Sequence, residues 1–197
     1  KGRNNCEDLT KEDMHTIHTE RLSLVLMDID LFDSCLAGER EGVLARGGFE
    51  VAEEWLEEAD YIRMRRGQLA ADSAYGPWSV RAVVLVETNQ MVGQIGFHSP
   101  PGPPELSEIA PGGIEYGYRI YPPYRGRGYA KEAARGLMDW AVGQGVTSFV
   151  VSIRPDNAPS QAIARGLGFV KVGEQMDEVD GLEEVFLLKA GGVDGMD

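Results

Sequence analysis

No run in this 197-residue chain approaches the roughly 20 consecutive apolar residues that a membrane-spanning helix requires. Cysteine is almost missing: Cys6 and Cys35 are the only two, which makes no disulfide framework and no metal-ligand spacing. Histidine numbers three, and His15 and His18 stand in a polar stretch without partners. Basic residues are outnumbered 19 to 32, leaving a net charge of −13. That balance excludes general affinity for nucleic acid or an anionic membrane, and it favours a basic or neutral substrate. The opening KGRNNCEDLTKEDMHTIHTE has no apolar stretch after its basic start, unlike a secretory signal, so a cytoplasmic protein is expected. No internal repeat is present.

What the chain does contain is enough apolar material, 43%, for one sizeable core. Residues 1–18 read as a polar tail, 19–190 as a single domain, and 191–197 as a glycine-rich tail. Thr19 to Leu26 alternates as a first strand, and the acids from Asp28 to Asp33 offer helix caps. Two acidic helices are expected next, the better being Glu50 to Ala59, where Val51, Trp55, Leu56 and Ala59 share a face. Trp78 to Thr88 and Met91 to His98 form a hairpin joined at Asn89-Gln90. Ser99 to Gly113 holds five of the ten prolines and must be a loop that could border a cleft.

Gly113 to Tyr121 is a strand ended by Pro122-Pro123, and a helical pattern runs from Gly128 until Gly143 and Gly145 stop it. Thr147 to Ile153 is a nearly continuous apolar strand of the kind covered on both faces. Strand, helix and strand in succession imply a parallel crossover. Asn157-Ala158-Pro159 then opens a short helix ending near Gly166. The strands Phe169 to Gln175 and Glu183 to Lys189 follow, turned at Asp180-Gly181.

Between the Gly113 strand and the Gly128 helix lies Arg125-Gly126-Arg127-Gly128-Tyr129-Ala130. Glycines let backbone approach an anion, and the first N–H groups of a helix point outward unsatisfied. From Arg119 to Arg135 the charge reverses locally, with Arg119, Arg125, Arg127, Lys131 and Arg135 against Glu132 alone. This is the specification of an anion site. A dinucleotide loop would need a third glycine where Lys131 stands, and a P-loop would need Gly-Lys-Ser/Thr, so neither nucleotide motif fits.

The string YRGRGYAKEA, Tyr124 to Ala133, resembles the acyl-CoA loop of the GNAT N-acetyltransferase superfamily, Arg/Gln-x-x-Gly-x-Gly/Ala. Arg125, Gly128 and Ala130 fill its defined places. IEYGYRIYPPYRGRGYA upstream, and Asn157, Ser160 and Gly168-Phe169 downstream, are similar to the branch that acetylates ribosomal-protein N-termini. The resemblance runs from Thr19 to about Lys189. It implies an α/β fold, with a strongly twisted mixed sheet of about six or seven strands flanked by helices and a strand-loop-helix-strand crossover. It further implies that acetyl-CoA is the co-substrate, with no metal. Amides of Gly126, Arg127, Gly128, Tyr129 and Ala130 would bind the pyrophosphate, main-chain groups near Ile120 and Tyr121 the pantetheine arm, and Asn157 and Ser160 the cofactor. By its residue type alone Asn157 is a helix cap.

An amine substrate carries a pKa of about 8 at an α-amino group or about 10.4 at a lysine, so a base must take a proton before attack on the thioester. Glu115, on the strand leading to the loop, is the first candidate; a solvated strand-face Glu is the alternative. His98, at the end of the preceding strand, is the second candidate base. A main-chain amide near Ile120 or Tyr121 would hold the oxyanion. Ala164 stands where many relatives carry a tyrosine acid, so Tyr118, Ser160, Tyr121 or water would protonate the leaving thiolate. Neither cysteine lies near these motifs, which favours direct attack by the amine. The acceptor would be a peptide N-terminus or small-molecule amine, and a homodimer is compatible with the pattern. A catalytically inactive acyl-CoA-binding module is the alternative function, and a nucleotide-binding regulator a third.

Overall fold

The computed structural model describes residues 16–177 and 181–191. Cys6, His15, the Asp180 half of the expected turn and residues 192–197 of the expected tail lie outside the described residues. Eight strands form one mixed sheet in the order β1-β2-β3-β4-β5-β6-β8-β7. The eighth strand, beyond the expected six or seven, is β1 (Thr16–His18), which sequence patterning assigned to the tail. Three residues are too short to register a period. Tertiary pairing defines them instead: Thr16 opposes Val25, Ile17 opposes Leu24, and Ile17 is buried. The expected first strand is therefore a hairpin, turning at Thr19–Arg21 into β2 (Leu22–Leu26).

Four helices rather than two separate β2 from the next strand. Helix α1 (Ile29–Leu36) is capped by Asp28, whose Oδ1 accepts from the Leu31 amide at 2.8 Å, and α2 (Arg40–Gly47) follows. The expected Glu50–Ala59 helix contracts to α3 (Glu53–Leu56). Its first residues are drawn away, because the Glu50 amide donates to the Asn89 carbonyl and its own carbonyl accepts from Met91. Helix α4 (Ala59–Ala71) was hidden from pattern reading by having only Ile62 and Arg65 buried.

Strands β3 (Arg81–Leu85) and β4 (Met91–Phe97) form the expected hairpin, with Asn89 in the left-handed region at φ 56°. Then come β5 (Ile114–Ile120), α5 (Tyr129–Gly143), β6 (Ser148–Ile153), α6 (Ala158–Gly166), β7 (Val170–Asp177) and β8 (Gly181–Lys189).

The period of two along the strands sorts side chains into two cores. Val83, Phe97, Tyr116 and Phe149 meet Ala134, Leu137 and Ala141 of α5 on one face. Ala82, Val84 and Val80 meet Phe32, Trp55 and Ile62 on the other. Along β5, Ile114, Tyr116 and Ile120 belong to the α5 face, which leaves Glu115, Gly117 and Arg119 on the face of α1–α4. Every strand pair is antiparallel except β5 with β6. That parallel pair spans only Ile114 opposite Phe149 and Glu115 opposite Val150, after which the strands part. No helix among the described residues is long and apolar enough to cross a membrane.

Close approach of β4 to the far end of β5 needs Gly93, where an added methyl would overlap the Arg119 carbonyl. Gly93→Ala should therefore destabilise by about 1–3 kcal/mol. Gly143→Ala, whose methyl meets nothing, should be neutral or stabilising by up to about 1 kcal/mol. Thermal midpoints of the two variants give the comparison; equal midpoints would sink this account of β4 and β5.

Candidate active site

Where β5 leaves β6, the chain makes a short 3-10 turn at Pro122–Tyr124 and a loop with Gly126 at φ 74° and Gly128 at φ 83°, and then enters α5. Left-handed backbone at these two positions suits glycine and turns the loop amides to one side. The N–H groups of Gly126, Arg127, Gly128, Tyr129, Ala130 and Lys131 find no acceptor among the described residues; the first bond of the helix is from Glu132 to the Gly128 carbonyl. They border a cleft of about 560 Å³ walled by Tyr118 and Ile120 of β5, Tyr129 of α5, and Asn157, Ser160 and Ile163 at α6. A hollow of similar volume, about 570 Å³, lies across α5 against β1, walled by Thr19, Gly136 and Trp140. Only Gly128 and Lys131 of the loop segment reach it, so the free amides belong to the first cleft.

The basic side chains divide their work. Arg125 lines the cleft but turns its Nε to the Ile120 carbonyl at 2.8 Å, tying the loop to the end of β5. Arg127 lies over the Tyr124 ring, 6.0 Å from its centre. Arg119 pairs with Glu58 at 2.9 Å on the opposite face. Tyr121 departs from expectation: its amide donates to Val92, its carbonyl accepts from Tyr124, and its buried side chain packs with the α1–α4 core. With that amide taken and that ring turned away, Tyr121 supplies neither the oxyanion donor nor the acid. Asn157 does cap α6, its Oδ1 accepting from the Ser160 amide at 3.2 Å, and both residues also line the cleft.

A smaller hollow of about 200 Å³ opens through the gap between β5 and β6, sharing Tyr118, Asn157 and Ser160 with the first cleft. Neither candidate base lines this hollow; both stand on the α1–α4 face of the sheet, where Glu115 meets Ser152 of the hollow's wall. The His98 amide donates to the Glu115 carbonyl, and His98 Nδ1 lies 3.7 Å from Glu115 Oε2, an ion-pair distance beyond a direct hydrogen bond. The ring lies over Gly117: a methyl there would stand 2.8 Å from His98 Nε2. Ser152 donates its hydroxyl to Glu115 Oε1 at 2.6 Å, and Gln175 of β7 donates to Ser152 at 3.0 Å.

Burial alone would raise the Glu115 pKa, but His98 and the Ser152 hydroxyl outweigh it, and the net direction is downward. The carboxylate is thus held charged. Burial raises the Tyr118 pKa, with Ser160 opposing. The hydroxyl of Tyr118 is buried, makes no hydrogen bond of ordinary geometry and stays protonated, and the residue lines both hollows. Ala164 is buried and brings no hydroxyl. Sequence reasoning missed Ser152 and Gln175, because only strand pairing places them beside Glu115. Among the described residues no cluster of His, Cys, Asp and Glu could hold a metal ion.

Among the described residues the mixed sheet thus parts at its one parallel junction, and the free amides of a helix start line the opening. Residues 28–170 match the acetyltransferase (GNAT) domain family, and the chain belongs to that family, whose reaction is acetyl transfer. It is 28% identical over 163 residues to the uncharacterized N-acetyltransferase YjdG of Bacillus subtilis, covering 80% of this chain and 90% of that protein. Its fold is shared, at 17% identity and a TM-score of 0.62, with the ribosomal-protein-S5-alanine acetyltransferase of Vibrio fischeri, over 91% of this chain and 99% of that one. At 17% identity and a TM-score of 0.60 it also matches RimL, a ribosomal L7/L12 alpha-N-protein acetyltransferase solved with coenzyme A, over 89% and 98% of the two chains.

The lowered Glu115 pKa sets a pH test. A depressed carboxyl contributes stability that is full above its unfolded value, about 4.3, and is lost as pH falls through the lower folded value. The excess melting temperature of the wild type over Glu115→Gln should accordingly shrink as pH is lowered from about 5 toward 3. A difference independent of pH would mean that Glu115 is not held charged.

Proposed function

We propose that this enzyme acetylates the α-amino group of a peptide, with acetyl-CoA as donor. The observation that carries the donor site is the row of free amides from Gly126 to Lys131 in the cleft beside the parted β5. These amides and the N-terminal dipole of α5 would hold the pyrophosphate, and Ile120, Asn157 and Ser160 would border the pantetheine arm. The thioester would then lie near Gly117 and Tyr118, where the cleft meets the smaller hollow.

His98 takes the proton from the acceptor ammonium, and Glu115 orients its ring and compensates the imidazolium that forms. Ser152 holds Glu115 in turn. The freed amine attacks the thioester carbon directly, the adduct's nitrogen loses its second proton to solvent, and collapse of the tetrahedral adduct breaks the C–S bond. Tyr118 gives its hydroxyl proton to the leaving thiolate and recovers one from solvent. The balance is one ammonium and one thioester giving one amide, one thiol and one proton. An α-amino group, with a pKa of about 8, asks less of an imidazole than a lysine does. The acceptors named for the two ribosomal-protein enzymes of like fold support this choice, as does the charge of −13. The assembled His98-Glu115-Ser152 group also speaks against a binding module without catalysis.

Thiol release from acetyl-CoA should be faster with peptides bearing free Ala or Ser N-termini than with polyamines or aminoglycosides. His98→Ala should lower kcat by about 100-fold or more. Full activity in that variant would remove His98 as the base; turnover confined to small polyamines would remove the peptide acceptor.

A further inference from the structure

Arg21, at the turn between β1 and β2, reaches into the loop from more than a hundred residues away in sequence. Its Nη1 donates to the Arg127 carbonyl at 3.0 Å. Its Nε and Nη2 grip Glu132 Oε2 at 2.7 and 2.6 Å, and its own amide donates to Glu132 Oε1 at 2.8 Å. Thr19 adds a hydroxyl to the same Oε1 at 2.6 Å. The guanidinium also lies over the Tyr129 ring, 4.8 Å from its centre. Burial would raise the Glu132 pKa, but the Thr19 and Arg21 contacts outweigh it, so the carboxylate stays charged and paired.

From these contacts we infer that Arg21 is a positioning residue for cofactor binding: it locks the Arg127–Gly128 peptide so that the Gly128 N–H faces the pyrophosphate, and it neutralises Glu132 beneath that anion. The inference rests on the loop being the pyrophosphate site. A trans peptide is planar, with its C=O and N–H pointing in opposite directions. Holding the Arg127 oxygen on the Arg21 side therefore aims the Gly128 hydrogen away from Arg21. Without that hold the unit would turn over easily, because its flip turns φ of Gly128, a left-handed glycine, and glycine accepts either orientation. A flipped unit would present a carbonyl oxygen to the diphosphate.

Glu132 poses the second problem. It sits in the first turn of α5, the end that should receive the anion, and its charge would repel a diphosphate. The two-pronged Arg21 grip cancels that charge and draws the carboxylate toward β2. A lysine could make one of these contacts but lacks the planar fork that makes both.

The test compares CoA with pantetheine, which lacks the pyrophosphate, by titration against the wild type, Arg21→Met, Arg21→Lys and Glu132→Gln, with melting temperatures measured alongside. In the wild type CoA must bind more tightly than pantetheine; equal affinities would overturn the pyrophosphate site itself. Given that preference, Arg21→Met should lose about tenfold in CoA affinity, the scale of one half-exposed charge-assisted hydrogen bond, with pantetheine affinity unchanged. Arg21→Lys should restore melting temperature more than CoA preference. Glu132→Gln, which keeps the bond to Arg127, should lose less preference than Arg21→Met; if Arg21→Met fails to fold, Arg21→Lys carries the comparison and should lose CoA affinity with pantetheine affinity unchanged. Equal loss of both ligands, or no loss of either, would reduce Arg21 to a staple between β2 and α5 and overturn the inference.

Discussion

The two paired positions that β5 and β6 share before they part are the constraint on which every functional group depends. A parallel pair cannot be closed by a tight turn, so the connection must cross over through a helix, and α5 is that helix. Its start is carried to the mouth of the opening while its body is anchored by Ala134, Leu137 and Ala141. Backbone polar groups along the parted edges and at the helix start are left to be satisfied by a ligand. The binding site is thus a deliberate incompleteness of the sheet.

The same opening joins the two faces. Tyr118 and Ser160 line the cleft toward α5 and α6, whereas His98, Glu115 and Ser152 lie toward α1–α4. In a continuous sheet these sets would be separated by the sheet itself. Here they meet through the gap, which suits a reaction in which an acyl donor and an amine must approach one carbon from different sides.

Electrostatics follow the same division. The protein is strongly acidic overall, yet its anion site is basic, and the basic side chains mostly shape backbone rather than point at the cleft. Arg125 ties the loop to Ile120, and Arg21 ties it to Glu132. The main-chain amides of the loop are left free, and such groups cost little side-chain entropy to place against an anion. On the other face the paired Glu115 and His98 keep a carboxylate charged in a half-buried setting, where an isolated one would be driven toward neutrality.

Much was legible in the sequence because it rests on local rules. The loop glycines, the helix after them, the Asn157 cap and the strand pattern from Trp78 onward are written in spacings of a few residues, and the family resemblance extends them. Local patterning failed at β1, at the four-helix segment and at Tyr121, and it did not reach the surroundings of Glu115. Each of these depends on a partner distant in sequence: Val25 for Thr16, Asn89 for Glu50, Val92 for Tyr121, and Ser152 with His98 for Glu115. The sequence by itself determined that there would be a strand, a glycine-rich loop and a helix in succession. Only the tertiary structure decided which of their atoms are left free and which side chains stand together, because a hydrogen bond commits a group only when folding brings its partner within about 3 Å.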